Sequence, residues 1–481
     1  MADKEKRAIT VKKEEDMSEW YTQVIINSEF VDYSAVSGCV VFRPSAYFCW
    51  NAVKEATDAM FMKAGIKNAY FPLLIPERFF EKEKEHIAGF SPEVAWVTET
   101  GESKLSERLA IRPTSETIMY DSYSRWIRSW RDLPLRLNQW NSVIRWEFKH
   151  PTPLLRSREF LWNEGHTVFA TEEEALAERD QILGIYEEVT REYLALPGIL
   201  GKKTENEKFA GGEASYSIEH LLPNGYVIQG PDFHNDGQNF AKAFDIKFIN
   251  KNNETEYAYQ NTFAISTREL GAMVMMHGDN RGLVIPPRIA MVQVVIVPIY
   301  KENNKEQVLA YSKKIYDALK DNARVHLDNR DDYSAGWKFN EWELKGVPIR
   351  IEVGGREMES ESVVLVTRHD MKKSSFGFSG ISETVNDELN RMQKELYAKA
   401  IVSIKEKIKK VDNYEELKKA ISGGNVAQAQ WCGETPCELK IKEETGAKAT
   451  NMPFDAQKDV KGNCVYCDKQ SKHVVNFAKS Y

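Results

Sequence analysis

The sequence lacks any apolar run long enough to cross a membrane. Its best candidate, Val292–Tyr300, has the length of a strand, far below the ~18 apolar residues of a transmembrane helix. The first ten residues are rich in charge and contain no apolar segment of the kind that secretion signals need. We therefore expect a cytoplasmic protein with no membrane partner.

Cysteine is scarce, with six residues in 481, too few for a disulfide framework. Four of them, Cys432, Cys437, Cys464 and Cys467, lie in the last fifty residues as two close pairs. Four thiolates can surround a tetrahedral zinc ion, and a lysine-rich segment that we expect to be poor in core residues needs such a staple. Four buried free thiols are the plain alternative. We predict a structural zinc site, since the cluster shows no open position or neighbouring base.

Neither charge sign dominates: 65 basic residues face 72 acidic ones, a formal net charge of −7. This balance argues against a generally basic nucleic-acid binder. The acidic surplus, however, lies wholly within residues 1–285, and residues 286–481 carry slightly more basic than acidic side chains. If RNA binds, its phosphates are expected to approach the second half of the chain.

The chain is too long for one hydrophobic core, and its pattern predicts three modules. Residues 1–285 combine helices (44–64, 115–131 and 172–196) with β-like runs that include 143–148 and 164–169, which predicts an α+β domain with an antiparallel sheet. Residues 286–380 alternate strands and helices, which predicts an α/β domain with a mixed sheet. Residues 381–481 contain a long charged helix and the small zinc-bearing α/β module.

No Walker A motif is present, and no GxGxxG follows a strand. Any nucleotide would therefore be held by side chains on a sheet. Arg145, Trp146 and Glu147 lie in a β-like run, so alternation predicts that Arg145 and Glu147 share one face. An exposed ion pair is the plain alternative. Arginines and acids continue around the same hairpin, however, and such a set can bind phosphate and magnesium.

These residues resemble motif 2 of the class II aminoacyl-tRNA synthetases, in the pattern Arg145-x-Glu147, a loop, then Arg156-xxx-Phe160-xxx-Glu164. The long helix leading to the strand at Pro72 resembles motif 1, the dimer interface, and Ser266-Thr267-Arg268 resembles motif 3. The Thr114-Ser115-Glu116 loop, the string 158–167 and the late cysteines are similar to prolyl-tRNA synthetases of the archaeal and eukaryotic type. Only about 60 residues separate Glu164 from the strand predicted at Gly225, so this resemblance implies no large editing insertion.

The resemblance implies attachment of L-proline to tRNA(Pro) through a prolyl-adenylate, with ATP and Mg²⁺ as partners in the reaction and a homodimer as the assembly. Arg145 and Arg268 would be the catalytic side chains, because positioned arginines stabilise the charge that gathers on the α-phosphate. The implied ATP-binding residues are Arg145, Glu147, Arg156, Ser157, Gln229, Asp232, Ser266 and Arg268.

The proline site implied by the resemblance needs acceptors for a secondary ammonium beside an apolar wall. Its residues would be Thr114, Glu116, Arg145, Trp162, Glu164, His166, Phe209 and His234. Plain packing is the alternative for Trp162 and Phe209, and a hydrogen-bonded structural histidine is the alternative for His166 and His234. Cysteine is close to proline in size, so misactivation of cysteine is a further expectation.

The resemblance implies that Glu343, Arg350, Arg356 and Glu357 of the α/β domain read the two guanines of the proline anticodon; a solvated surface charge is the plain alternative for each. Arginine suits O6 and N7 of guanine, and a carboxylate accepts from its N1 and N2 hydrogens. The resemblance also implies that the terminal carboxylate of Tyr481 reaches toward the active site; a frayed end is the alternative.

Two other functions compete with this interpretation. A catalytically inactive relative that only binds tRNA would have lost the phosphate-binding arginines, yet Arg145, Arg156 and Arg268 are all present. A class II synthetase for another amino acid is disfavoured by the Thr114-Ser115-Glu116 loop.

Overall fold

The computed structural model describes residues 8–86, 93–147 and 149–481. In its first part, helices α1 to α7 are Met17–Asn27, Pro44–Lys63, Glu77–His86, Glu116–Trp126, Glu172–Glu192, Asn239–Phe244 and Arg268–His277. Strands β1 to β14 are Val31–Tyr33, Val40–Phe42, Lys67–Asn68, Leu74–Pro76, Trp96–Thr100, Ser103–Ile111, Leu135–Ile144, Glu159–Phe169, Ile199–Lys202, Ala214–Leu221, Val227–Gly237, Lys247–Ile249, Thr255–Tyr257 and Tyr259–Ser266.

The rest of the chain contains helices α8 to α13, which are Lys305–Leu319, Ala335–Leu344, Gly355–Glu359, Ile381–Lys407, Tyr414–Ser422 and Thr435–Thr445. Strands β15 to β23 are Val294–Pro298, Val325–Leu327, Ile349–Val353, Ser362–Thr367, Lys373–Gly377, Ile408–Val411, Val426–Trp431, Lys448–Pro453 and His473–Ala478. None of the helices in the described parts of the chain combines the length and the apolar character of a membrane span.

Strands β7, β8, β14, β11, β10 and β9 pair antiparallel in that order and form the centre of the catalytic sheet. This confirms the antiparallel α+β prediction. The sheet then continues into the C-terminal module, because Met452 and Pro453 of β22 pair with Lys202 and Gly201 of β9. The two modules therefore share one sheet, which the sequence pattern did not indicate.

The second domain has the predicted mixed sheet, in the order β16-β15-β17-β18-β19. Strands β16, β15 and β17 are parallel, and β18 and β19 are antiparallel to their neighbours. Helix α10 and strand β19 were not predicted. Both are only five residues long, too short for a periodic signal to stand out.

Predicted helix ends are confirmed where a capping side chain, a proline ring or a glycine defines the end of the helix. Pro44 opens α2, and Thr171 and Glu174 form the predicted capping box at the start of α5. Gly346 has a φ of +71° just after α9, as a residue that ends a helix in the left-handed region should.

Several predicted boundaries are wrong; the helix predicted over 172–196, for example, ends at Glu192. The helix predicted over 115–131 ends at Trp126, because the Asp132 carboxylate accepts from the backbone N–H groups of Arg128 and Ser129 and stabilises a separate turn. The strand predicted over 70–76 pairs only from Leu74 to Pro76. Strand β7 ends at Ile144, so the predicted alternation through Glu147 does not hold, and Phe148 lies outside the described residues.

The C-terminal module has a hydrophobic core of its own, which corrects the expectation that it is poor in core residues. Leu417, Ile441, Val475 and Phe477 are fully buried, and Cys432, Cys437 and Cys464 pack among them. The apolar positions are spread over short elements, so no single stretch of sequence looked like a core.

Candidate active site

A cavity of about 230 Å³ opens on the catalytic sheet between the N-terminus of α4 and strands β8, β11 and β14. The structure brings all eight sequence-predicted proline residues to this cavity, together with Gln229 and Asp232 of the predicted ATP set. We call it the proline cavity. Adjacent antiparallel strands account for this, because β14 places Thr262 opposite His166 on β8 and opposite His234 on β11.

Glu164 is the anchor of the cavity floor. Its Oε2 accepts from the Thr114 hydroxyl at 3.2 Å and from the Ser115 backbone N–H at 2.8 Å, and lies 3.3 Å from Nε2 of His166. Its Oε1 accepts from Asn141. Burial opposes ionisation, but the hydrogen bonds and the neighbouring His166 outweigh it and lower the pKa of Glu164 to about 2. Glu164 is therefore an ionised carboxylate that holds the Thr114–Ser115 turn in place.

Glu116 behaves in the opposite way in the same cavity. Burial, and then the negative charge of Glu164, raise the pKa of Glu116 to about 7, against the lowering influence of His166, Arg145 and Thr114. Its Oε2 atom is buried and has no hydrogen-bond partner among the described residues. A buried acceptor without a donor suits a ligand that brings its own N–H groups.

The apolar wall consists of ring faces. The Phe209 ring stacks on His234 with centroids 4.8 Å apart and planes at 25°. Burial lowers the pKa of His234, despite the opposing Asp232 carboxylate, so its imidazole is neutral at pH 7. Trp162 is buried, and its Nε1 donates to Asn141 at 2.8 Å. This wall is an uncharged surface against which a small aliphatic ring can pack.

Two arginines lie beside this wall. The Arg145 Nε donates to the Pro113 carbonyl at 3.0 Å, and its guanidinium lies 5.0 Å from the centre of the Trp162 ring. Arg268 donates to the carbonyls of Leu155 at 3.1 Å and Gln229 at 3.2 Å. Burial lowers the pKa of Arg268, but a guanidinium remains protonated in proteins. Two positive charges therefore lie close to one another, Arg145 in the cavity lining and Arg268 against the lining residue Gln229, where an anion would stabilise both.

Five members of the predicted ATP set do not line the proline cavity: Glu147, Arg156, Ser157, Ser266 and Arg268. Glu147 is exposed after the end of β7. Ser157 accepts from the Leu154 N–H at 3.1 Å, and Ser266 accepts from the Arg268 N–H at 3.3 Å. The two serines thus brace the turns that carry the arginines, while Glu147 and Arg156 lie in the segment between β7 and β8.

Sequence reasoning missed several residues at the cavity. Glu207, Lys208 and Thr262 also line it. Asp236 is completely buried, and burial followed by the nearby Glu116 raises its pKa well above the usual range. Alternation along β11 does not indicate Asp236, because the strand is irregular between Asn235 and Gly237.

The four predicted anticodon residues form two separate pairs. Glu343, near the end of α9, forms a 2.6 Å ion pair with Arg350, near the start of β17. Arg350 also pairs with Glu352 at 3.0 Å, and Lys373 contacts the same Glu352 carboxylate at 2.6 Å. Sequence reasoning missed Glu352 and Lys373, since the strand that carries Lys373 was not predicted.

The other pair follows the opposite end of that strand. Glu357 accepts from the Gly354 N–H at 2.9 Å and caps the short helix α10, and Arg356 beside it is exposed. A strand of five residues spans roughly 16 Å. Among the described residues, no hydrogen bond or ion pair joins Arg356 or Glu357 to Glu343 or Arg350.

The four late cysteines converge. Their sulfurs all lie within 4.8 Å of one another, and Cys432 Sγ is 3.7 Å from both Cys437 Sγ and Cys467 Sγ. Four sulfurs placed tetrahedrally at about 2.3 Å from zinc would be about 3.8 Å apart. The spacing therefore fits a zinc ion.

Tyr481 lies away from the proline cavity. Its backbone N–H donates to the Val227 carbonyl at 3.2 Å, and its hydroxyl accepts from Asn224 at 3.1 Å. The side chain lines a different cavity, of about 980 Å³, between α11 and the segment before α1. The last residue is thus attached to the strand that carries Gln229 and Asp232.

Comparisons with known proteins agree across the whole chain. Family models match for the tRNA synthetase class II core domain (G, H, P, S and T) over residues 96–277, an anticodon binding domain over 293–388, and the prolyl-tRNA synthetase C-terminal domain over 414–481. The proline–tRNA ligase of Alkaliphilus oremlandii is 46% identical over 485 residues, which cover 100% of both chains. That of Cenarchaeum symbiosum is 44% identical over 99% of this chain and 100% of its own.

A solved structure is also similar. The prolyl-tRNA synthetase of Cryptosporidium parvum, crystallised with halofuginone and AMPPNP, has a TM-score of 0.94 and 42% identity, and the match covers 99% of this chain and 100% of that one. Full-length identity at this level, together with the three family models, leads to one conclusion. The chain belongs to the prolyl-tRNA synthetase family of class II aminoacyl-tRNA synthetases.

Proposed function

We propose that the chain attaches L-proline to tRNA(Pro), using ATP to form a prolyl-adenylate first. The observation that carries this proposal is the proline cavity, which combines a buried carboxyl oxygen without a partner, neutral ring faces and Arg145, with Arg268 next to it. We further propose three domains: residues 1–285 form the catalytic domain, residues 286–380 bind the anticodon, and residues 381–481 form the zinc-binding domain.

Proline fits the cavity by charge and by shape. The Glu116 carboxylate and the Thr114 hydroxyl oxygen would accept the two N–H groups of the secondary ammonium. The pyrrolidine ring would lie against Phe209, His234 and Trp162. Glu164 and His166 hold the turn below and need not touch the substrate.

Activation joins the proline carboxylate to the α-phosphate of ATP and releases diphosphate. Arg145 lies between the Pro113 turn and the Trp162 ring, where it would contact both reacting groups. Arg268 would hold the nucleotide from the β14 side, beside Gln229, Asp232 and Ser266. These charges are fixed before reaction, so they stabilise the pentacovalent phosphate without reorganisation.

ATP is expected to arrive with Mg²⁺. The exposed Glu147 carboxylate offers the hard oxygen ligand that Mg²⁺ prefers, and Arg156 on the same hairpin would contact the distal phosphates. Mg²⁺ would neutralise phosphate charge, while Ser157 keeps the hairpin turn in shape through Leu154.

The anticodon would be read at the Glu343–Arg350 pair, with Glu352 and Lys373 beside it. Carboxylates and guanidinium groups are already arranged in one network, which can hydrogen-bond to guanine edges with little loss of side-chain entropy. Arg356 and Glu357 would contribute, if at all, to a separate part of the tRNA.

Cys432, Cys437, Cys464 and Cys467 would hold one structural zinc ion, whose thiolate ligands require a reducing compartment such as the cytoplasm. The segment between β8 and β10 forms helix α5 and strand β9, which supports the absence of an inserted editing domain. Cysteine would then compete with proline for the cavity without correction at such a site.

Tyr481 would act by bracing the strand that carries Gln229, through its backbone hydrogen bond to Val227.

Exposed apolar side chains support a homodimer. Tyr70 is 72% exposed, Leu73 41% and Trp126 51%, all near the segment that resembles motif 1. Such a patch on a folded protein marks an association surface. Sedimentation equilibrium should give twice the chain mass; a monomer at micromolar concentration would contradict the dimer.

The function is tested by amino-acid-dependent exchange of pyrophosphate into ATP, with each of the twenty amino acids in turn. Exchange should be strongest with proline and detectable with cysteine. Exchange with threonine or glycine, and none with proline, would overturn the assignment.

A further inference from the structure

The proline cavity is bordered by a loop that is attached to the cysteine module. This loop, residues 203–213, carries Glu207, Lys208 and Phe209, all three of which line the cavity. The loop joins the sheet at its two ends, where the Lys203 N–H donates to Ser215 and the Glu213 N–H to Asn235. The contacts that hold the loop between these two ends therefore determine the position of the Phe209 ring in the cavity.

Thr204 organises the first turn of the loop. Its carbonyl accepts from the backbone N–H groups of Glu207 at 3.2 Å and Lys208 at 3.0 Å, and its hydroxyl oxygen lies 3.3 Å from the same Glu207 N–H. Phe209 follows directly, with its N–H donating to the Ser215 hydroxyl, which in turn contacts Nδ1 of His234 at 2.8 Å. Movement of Thr204 would therefore shift the Phe209 ring relative to His234.

Thr204 is held from the other side by Glu438 of helix α13. The Thr204 hydroxyl donates to Glu438 Oε1 at 3.0 Å, and Asn206 Nδ2 donates to the same oxygen at 3.3 Å. Glu438 is 1% exposed. A buried carboxylate oxygen with two donors is a strong and directional link, because an unmade hydrogen bond there costs far more than at the surface.

Glu438 is the residue directly after Cys437, a member of the cysteine cluster. A metal ion on Cys437 would fix the first turn of α13 and, with it, the direction of the Glu438 side chain. A second link supports the first: Lys448 of β22 lies 3.1 Å from the Glu207 carboxylate. Both links run from the C-terminal module to the cavity loop.

We propose that Glu438 is a positioning residue for the proline cavity, which couples the four-cysteine metal site to the loop of residues 203–213 and so sets the affinity for proline. The inference rests on the proposed function, because it takes proline as the occupant of the cavity. It gives the C-terminal module a role in amino-acid binding, although Thr204 and Glu438 are 234 residues apart in the sequence.

The test compares Glu438→Ala with Glu438→Gln in the full-length, zinc-loaded protein. The amide oxygen of glutamine can still accept from Thr204 and Asn206, whereas alanine cannot. We expect Glu438→Ala to raise the KM for proline about tenfold with kcat and the KM for ATP within twofold, and Glu438→Gln to stay within threefold of the parent. Glu443→Gln, on the same helix but with its side chain 68% exposed, is the matched control and should change nothing.

Two measurements that do not depend on turnover accompany the kinetics. Zinc content should remain one per chain in Glu438→Ala, and hydrogen–deuterium exchange should rise across residues 203–213. Removing zinc from the parent with a chelator should raise exchange in the same loop. If Glu438→Ala fails to fold, Thr204→Val removes the hydroxyl donor from the other side and should give the same rise in KM.

The outcomes separate this inference from the proposed function. An unchanged KM for proline in a folded Glu438→Ala or Thr204→Val protein would overturn the coupling, and so would a chelator that leaves loop exchange unaltered. A parent protein that shows no proline-dependent pyrophosphate exchange would instead overturn the proposed function.

Discussion

The proline cavity and the proposed anticodon network, which consists of Glu343, Arg350, Glu352 and Lys373, make an instructive pair, since residues of both were predicted from the sequence. All eight predicted proline residues line one cavity. The four predicted anticodon residues divide into two pairs at opposite ends of β17. The first set followed specific motifs, several of them on strands that pair with one another. The second set followed only the implied resemblance of one helix and one strand to the family's anticodon domain.

The electrostatics of the two regions also differ. In the cavity, both carboxylate oxygens of Glu164 accept hydrogen bonds, whereas the Oε2 atom of Glu116 accepts none. The two carboxyl groups therefore have opposite pKa shifts, lowered for Glu164 and raised for Glu116. In the anticodon network, each carboxylate is paired with a basic side chain. The cavity can therefore bind a positively charged group at Glu116. The side chains of the network can replace their hydrogen bonds to one another with hydrogen bonds to the edges of a base. The following predictions test this division.

The largest effect is expected for Arg145→Ala. Loss of a fixed donor at the reacting phosphate should reduce proline-dependent pyrophosphate exchange about 10²–10³-fold. Arg125→Ala, an exposed arginine on α4 that pairs with Asp121, is the control and should keep full exchange. Intact activation in Arg145→Ala would place the chemistry elsewhere.

Arg350→Ala should separate the two regions. We expect kcat/KM for tRNA charging to fall about 10–100-fold, because one guanidinium contact to guanine contributes about 1–3 kcal/mol of discrimination. Pyrophosphate exchange, which involves no tRNA, should remain within twofold of the parent. A parallel fall in both assays would mean that the network supports the fold rather than reading RNA, and thermal unfolding would show it.

The Glu116 carboxyl predicts a pH dependence of proline binding. Its pKa is raised to about 7, so below pH 7 the group is protonated and cannot pair with the prolyl ammonium. The KM for proline should therefore rise by up to about tenfold per pH unit as pH falls below 7, and level off above it. Glu116→Gln should have a higher KM at pH 8 and no such slope; a slope that persists would assign it to another group.

The smallest effect is expected for Arg356→Ala. This side chain is exposed and lies beyond the opposite end of β17 from Arg350, so both charging and exchange should stay within about twofold of the parent. A loss as large as that of Arg350→Ala would show that the tRNA spans both ends of the sheet and would remove the contrast.

Much of the fold could be predicted because local chemistry specified it. Pro44, the Thr171–Glu174 capping box and Gly346 each fix a helix end through a single side chain or a backbone conformation. The continuation of the catalytic sheet through β22 could not be predicted, because Met452 and Lys202 are 250 residues apart in the sequence and nothing local marks their pairing.

The site shows the same limit. Thr114, Glu116 and Arg145 belong to recognisable motifs, and the sheet brings them together. Glu438 belongs to no motif that sequence reasoning used, and its role depends on a contact with Thr204 across two modules. The lack of a donor for the Oε2 atom of Glu116 and the several donors to Glu164 also depend on the tertiary structure, because donors from distant parts of the chain surround each carboxyl group.

The most direct test is a crystal structure of the protein with a non-hydrolysable prolyl-adenylate analogue. The account predicts the pyrrolidine nitrogen within hydrogen-bond distance of Glu116 and Thr114, its ring against Phe209, and the linking group beside Arg145. An analogue bound in the cavity beside Tyr481, or in the proline cavity with its nitrogen turned away from Glu116, would contradict it.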